Sequence, residues 1–332
     1  MSKKSKMEPP DSVKSNWHME FIRKLEEGRK RAEEEEFDVV MKGQYKEAYD
    51  LLEDALNADP PQTPLIEGPP GVGKSVLARK FARDTGRPFY EVFFDETIRP
   101  AYLIGIFDPA LFMKGREYRI DAFEPGPLFE AMMNGGVFVA HELNRATEFC
   151  QNTLHSVLEK RERICTLPKR IELPNGQYVK MLKAHEDFRF IAVANPAEMA
   201  GVHRLTRALQ DRIDLWIYLG YPEKKVEMEI ISLNSPASQL TNFDLELIYN
   251  IINRFRIDER VAEPPSIRAS VSLASLYAKA RISKPTADPM DLIYLYSRAV
   301  LKGHTKFKAL VEDQDKVREE IIQKSIDEIM ET

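Results

Sequence analysis

Between residues 63 and 219, short β-prone apolar runs alternate with stretches whose apolar residues recur at helical spacing. The runs are Pro64–Glu67 and residues 89–94, 137–140, 190–194 and 215–219. This alternation predicts an α/β fold, a parallel sheet with helices on both faces, because parallel strands are joined by helical crossovers. After Tyr221-Pro222 the spacing is wholly helical, through 226–233, 245–256, 266–280 and 288–301, which predicts a second, smaller all-α domain. Ahead of the sheet, residues 37–58 carry apolar positions at Val40, Ala48, Leu51, Leu52, Ala55 and Leu56. They predict a helix that Asp59-Pro60-Pro61 stops. Residues 17–36 are charged and helix-prone, with the EEEE run at 33–36 reading as a solvated face. The expected parts are 1–36, an N-terminal tail and charged helix; 37–220, an αβα core; and 221–332, a helical lid.

The first strand ends in chemistry. Residues 68–75 read GPPGVGKS, a complete phosphate-binding loop. Gly68 and Gly73 remove Cβ atoms that would obstruct a tight turn around a polyphosphate. Pro69, Pro70, Gly71 and Val72 complete the loop, and Val76 opens the apolar face of the helix behind it. Backbone N–H groups at that helix start favour an anion, Lys74 reaches the β- and γ-phosphates, and Ser75 offers a hydroxyl to Mg²⁺. A strand, a glycine-rich turn and a helix ending at Gly86 fall where nucleotide binding needs them.

Composition narrows the picture only a little. A length of 332 residues suggests about two domains. The formal net charge of −5 argues against a broad basic nucleic-acid footprint, while leaving room for a local basic pore. Two cysteines, Cys150 and Cys165, imply no disulfide framework and a reducing compartment. No apolar run approaches a membrane span, and MSKKSK followed by EPPDS is not of signal-peptide type, so the expected location is the cytoplasm.

Four further stretches sharpen the site. GGVFVAHE at 135–142 is an apolar strand ending in a carboxylate, a Walker B shape that carries Glu142 to the ligand-binding edge of the sheet. There it would orient or deprotonate an attacking water. IAVANP at 191–196 delivers Asn195 to the same edge, where an amide can hold that water or the γ-phosphate. RLTRALQDRIDLWIYLGYP follows at 204–222, and PPSIRASVSLASLYAKAR at 264–281 places Arg268 at a helix start in the second domain, within possible reach of the nucleotide.

In this order the motifs resemble the MoxR group of AAA+ ATPases, with EPGPLFEAMMNGGVFVAHELNRA at 124–146 the most characteristic block and the similarity spanning about residues 40–305. The resemblance implies a P-loop AAA+ core with an α-helical lid, ATP and Mg²⁺ as ligands, and a homo-oligomeric ring, usually a hexamer. It makes Asn195 the sensor-one residue, Arg212 an arginine finger inserted into the neighbouring subunit's site, and Arg268 the sensor-two arginine. It further implies a remodelling or chaperone-like action on a protein client, often with a von Willebrand factor A partner. Two inserts are expected, at 99–127 and as a hairpin at 164–181, the second also signalled by Asn175-Gly176. Phe107, Leu111, Phe112 and Met113 offer either a client surface or packing within the assembly.

One position departs from the group. An aspartate is expected before the Walker B glutamate, and His141 stands there. Losing one negative charge beside a dication costs on the order of 1–4 kcal/mol. The expectation is weaker Mg²⁺ binding, through water at His141, or slow turnover with nucleotide binding retained.

Other candidates are less informative. Cys150, His155 and Cys165 match no tight metal-ligand spacing, and His185, His203 and His304 have no recognisable partner. Arg145 fits either a contact with the adjacent subunit or a local salt bridge, and Arg207 competes with Arg212 for the finger role. Three readings remain open: an ATP-hydrolysing ring that remodels a client, an ATP-gated assembly scaffold with little hydrolysis, and a nucleic-acid motor or loader. The acidic balance and the lack of an appended DNA-binding motif weigh against the third.

Overall fold

Period-two alternation in the central strands sends successive side chains to opposite faces of one sheet, and both faces are covered. In the computed structural model, residues 39–109, 118, 120–173, 176–196, 205–236 and 240–331 are described. The chain divides into two units, Met1–Asp38 and Val39–Thr332, and every described residue belongs to the second. The expected helix over 17–36, together with Leu111, Phe112, Met113, Asn175 and His203, lies outside the described residues.

The strands are β1 (Pro64–Glu67), β2 (Phe89–Phe93), β3 (Gly105–Phe107), β4 (Phe123–Pro125), β5 (Val137–His141), β6 (Ile164–Glu172), β7 (Tyr178–Lys183), β8 (Arg189–Ala194), β9 (Leu215–Tyr218), β10 (Val261–Glu263) and β11 (Lys306–Phe307). The helices are α1 (Gln44–Asn57), α2 (Lys74–Asp84), α3 (Pro100–Ile104), α4 (Pro127–Asn134), α5 (Glu148–Val157), α6 (Arg207–Gln210), α7 (Lys224–Leu233), α8 (Asn242–Ile257), α9 (Ile267–Ser283), α10 (Pro289–His304) and α11 (Gln314–Met330).

The main sheet runs β2-β5-β8-β1-β9 with every pairing parallel. Ile66, Val137, Val139, Ile191, Val193 and Ile217 share one face with Leu77, Ala78 and Phe81 of α2. Leu65, Val92, Phe138, Ala140, Phe190 and Ala192 form the opposite face with residues of α4 and α5. The register sets Phe93 beside His141 and His141 beside Val193, so the ends of β2, β5 and β8 converge on one edge. The expected α/β architecture is therefore the observed one.

Two small antiparallel ladders project from this frame. β3 pairs with β4 inside the first expected insert, and β6 pairs with β7 as the expected hairpin, with Gly176 at positive φ. Helices α7 to α11 close around their own apolar cluster, which includes Ile248, Ile251, Leu273, Tyr277, Ile293 and Ile322.

This part differs from the sequence expectation in three ways. It is not wholly helical, because β10 and β11 pair across it. It also gains α11, whose charged sequence buries only a narrow stripe through Ile321, Ile322 and Ile326. Helix α8 starts at Asn242 rather than at residue 245, since Thr241 and Asp244 form a reciprocal capping box.

Candidate nucleotide site

Helix α2 begins at Lys74 directly behind the glycine-rich loop. Its N-cap, Gly73, brings no side chain to the first-turn N–H groups, so the positive end of the helix is directed at the loop. Gly68 meets a constraint from the fold itself. A Cβ there would stand 2.0 Å from the Leu219 carbonyl oxygen, so the end of β9 presses against the loop. The Tyr45 hydroxyl donates to the Val72 carbonyl at 2.9 Å and ties the loop to α1.

Lys74 is buried, and its ammonium donates to Gly68 O at 2.6 Å, Pro69 O at 2.8 Å and Asn195 Oδ1 at 2.9 Å. All three hydrogens are used, which fixes the charge over the loop. Burial pulls this amine down to about 8, opposed by the Glu142 and Glu67 carboxylates and reinforced by the Arg268 guanidinium. Asn195 is thus in direct contact with the phosphate-loop lysine. Its backbone carbonyl accepts from Asn144 Nδ2 at 2.7 Å, which ties the β8 end to the turn after β5.

Glu142 occupies the left-handed region, with φ 53° and ψ 40°, at the end of β5. A non-glycine residue held there directs its side chain away from the strand alternation, a feature concentrated at functional sites. Arg145 Nε stands 2.8 Å from Glu142 Oε2, so of its two sequence readings the local pair is present.

Arg268 lies in the first turn of α9 and faces the loop from the helical part. A Cβ on Gly71, itself at φ +75°, would meet the Ser266 Cβ at 2.7 Å and the Arg268 Cγ at 3.7 Å. Arg212 is elsewhere. It donates to His155 O at 3.0 Å and Ala208 O at 2.8 Å and stands 3.5 Å from Glu159, so it caps the C-terminal end of α5. Asp214 accepts from Thr63 N, and Leu215 lies beside Pro64, which puts Arg212 before the N-terminal edge of the sheet. Lys74 and Asn195 follow its C-terminal edge. Lys74, Asn195, Glu142 and Arg268 therefore converge, and Arg212 does not join them within the chain.

His141 is almost fully buried, with Nδ1 3.2 Å from Ser75 Oγ and Nε2 2.9 Å from Glu91 Oε2. Burial raises the Glu91 carboxyl, but the His141 hydrogen bond and the Arg79 guanidinium outweigh it and hold the group below its usual range. Glu91 was not singled out from the sequence. Its signal was a charged residue in FYEVF at a position that alternation assigns to the α2-facing side.

Cys150 and Cys165 are buried and free, and burial pushes the Cys165 thiol up to about 11. Among the described residues, no three His, Cys, Asp or Glu side chains gather in a way that could hold a metal ion. The loop, Lys74 and the α2 N-terminus fit a polyphosphate. Ser75 Oγ fits magnesium, but the imidazole nitrogen beside it is a poor partner for that hard cation.

The phosphate loop before α2, the 2-5-8-1-9 parallel sheet and the polar residues at its edge define an AAA+ protein. Residues 64–213 match the AAA domain of the dynein-related subfamily. Similarity extends to the gas vesicle ATPase GvpN of Ancylobacter aquaticus, 27% identical over 68% of this chain and 63% of that protein. GvpN1 of Halobacterium salinarum is 30% identical over 61% of this chain and 58% of its own length. The chaperone MoxR1 of Mycobacterium tuberculosis is 31% identical over 50% of this chain and 38% of its own. The chain spans less than two thirds of each of these relatives. Residues 64–213 thus carry an AAA domain, and the chain is similar to AAA+ ATPases of the MoxR and GvpN type.

Proposed function

We propose that this chain binds ATP with a divalent cation, assembles as a homo-oligomeric ring, usually hexameric in this group, and hydrolyses ATP to remodel or mature a protein client. The observation that carries the reading is the Lys74 ammonium, held between the loop carbonyls and Asn195 Oδ1. A bound triphosphate would exchange its oxygens for some of these acceptors. The cation would neutralise phosphate charge, with Ser75 Oγ as a direct ligand and His141 beside it.

Glu142 is proposed to orient and deprotonate the attacking water, with Asn195 holding that water or the γ-phosphate. Arg268 supplies positive charge from the helical lid, so rotation of residues 221–332 against 37–220 would couple nucleotide state to shape. Arg212 sits at the opposite sheet edge from its own phosphate loop, so its proposed target is a neighbouring subunit's nucleotide. Support for a protein client is the group and its chaperone member. A von Willebrand factor A partner and a cytoplasmic setting are further expectations of the same reading. No described helix is long and apolar enough to cross a membrane.

Titration with a fluorescent ATP analogue, paired with phosphate release, tests this. Lys74→Ala should lose binding, whereas Glu142→Gln should keep binding and lose hydrolysis by about 100-fold or more. Wild-type levels of both in both variants would end the reading. His141 favours a second version, an ATP-gated scaffold with little hydrolysis. ATP-dependent assembly without single-turnover hydrolysis would select it.

A further inference from the structure

Strand alternation sends Glu91 and Phe93 of β2 and His141 of β5 to the face that α2 covers. There the imidazole is fixed from three sides. Phe93 stacks on it with centroids 4.3 Å apart and planes 12° apart, Glu91 Oε2 lies 2.9 Å from Nε2, and Ser75 Oγ lies 3.2 Å from Nδ1. Arg79 holds the other Glu91 oxygen at 2.7 Å. A carboxylate only accepts, so Nε2 carries the proton, and Nδ1 faces the hydroxyl that offers itself to the nucleotide's cation.

A histidine with a carboxylate behind its distal N–H has the second-shell arrangement of a metal ligand. Imidazole nitrogen suits cobalt, nickel, zinc or iron, whereas magnesium is matched by carboxylate and water. Two protein donors do not make a site alone. Phosphate oxygens would have to supply the remainder, consistent with the absence, among the described residues, of any three-ligand cluster.

We propose that the cation bound with the nucleotide is a borderline transition-metal dication ligated directly by His141 Nδ1 and Ser75 Oγ, and that Glu91 is the positioning residue that selects it. This rests on the triphosphate reading above.

The test uses the full chain with a non-hydrolysable β,γ-imido ATP analogue, Co²⁺ as probe and Mg²⁺ as competitor. Cobalt binding is followed by visible absorption and by proton NMR. Wild type should show a contact-shifted, exchangeable imidazole N–H. His141→Asp should lose that signal and move the cobalt-to-magnesium preference toward magnesium by about 10-fold or more. Glu91→Gln should weaken cobalt binding by about 10- to 100-fold while analogue binding in EDTA stays unchanged. Equal metal preference in wild type and His141→Asp would overturn the proposal. So would a wild-type cobalt spectrum without a shifted imidazole proton, a result that does not depend on any variant folding. Absence of analogue binding in EDTA and with either metal would instead remove the triphosphate reading itself.

Discussion

Lys74 carries opposite pH consequences for folding and for ligand binding. Burial lowers its ammonium from 10.5 to about 8, so above that pH the folded chain holds a neutral amine while an unfolded chain stays charged. Between about 8 and 10.5 the unfolded state binds more protons, and this group's contribution to stability rises with pH. Phosphate binding needs the charge, so nucleotide binding above pH 8 must take up a proton. Affinity should fall by up to about tenfold per pH unit there. Titrations from pH 7 to 9.5 check this, and a flat profile would show that Lys74 is charged throughout. At Glu142 the constraint is conformational. The side chain's place depends on a left-handed backbone that asparagine or glycine adopts more readily.

Single elements place these residues, and two contacts between elements are open to test. Gly68 admits the Leu219 carbonyl where a Cβ would stand at 2.0 Å, against backbone that cannot yield as a side-chain tip can. Gly68→Ala should displace the loop from β9 and reduce nucleotide affinity together with the melting temperature; unchanged values of both would contradict the close approach. In the helical part, Arg256 binds buried Glu227 through two hydrogen bonds of 2.6 and 2.9 Å, and Ser270 donates to the same carboxylate. Arg256 Nε also donates to Pro265 O, and its guanidinium lies 4.0 Å over the Tyr221 ring. This clamp joins α7, α8 and the turn that aims Arg268. Glu227→Ala leaves a buried guanidinium unpaired and should cost about 3–5 kcal/mol by denaturant unfolding.

Elements with strong periodicity were legible in the sequence. The alternating apolar runs marked the five central strands, and GPPGVGKS marked the loop. The clamp, the β10–β11 pair and α11 were not, because they depend on contacts between distant segments or on a narrow apolar stripe. Glu91 shows the same limit. Its charge on a buried face was visible, but its partner on a neighbouring strand was set by register.

At the scale of the molecule, the parallel sheet separates two arginines that the sequence puts into one reaction. Arg268 stands against its own phosphate loop. Arg212 lies beyond the other end of strands that rise about 3.3 Å per residue, fastened to α5 and α6. On the finger role proposed for Arg212, an isolated subunit would lack that arginine at its own nucleotide, and hydrolysis should require assembly. Specific activity should rise with protein concentration as rings form; a constant value down to the monomer would argue for a site completed within one chain.

Mixing two defective chains probes that division of labour most directly. Lys74→Ala removes the pocket and keeps Arg212, while Arg212→Ala keeps the pocket and removes the finger. Each alone should be inactive, and their mixture should recover ATP hydrolysis at junctions where an intact pocket meets an intact arginine. Full activity of Arg212→Ala by itself, or a mixed assembly that stays silent, would contradict the shared site.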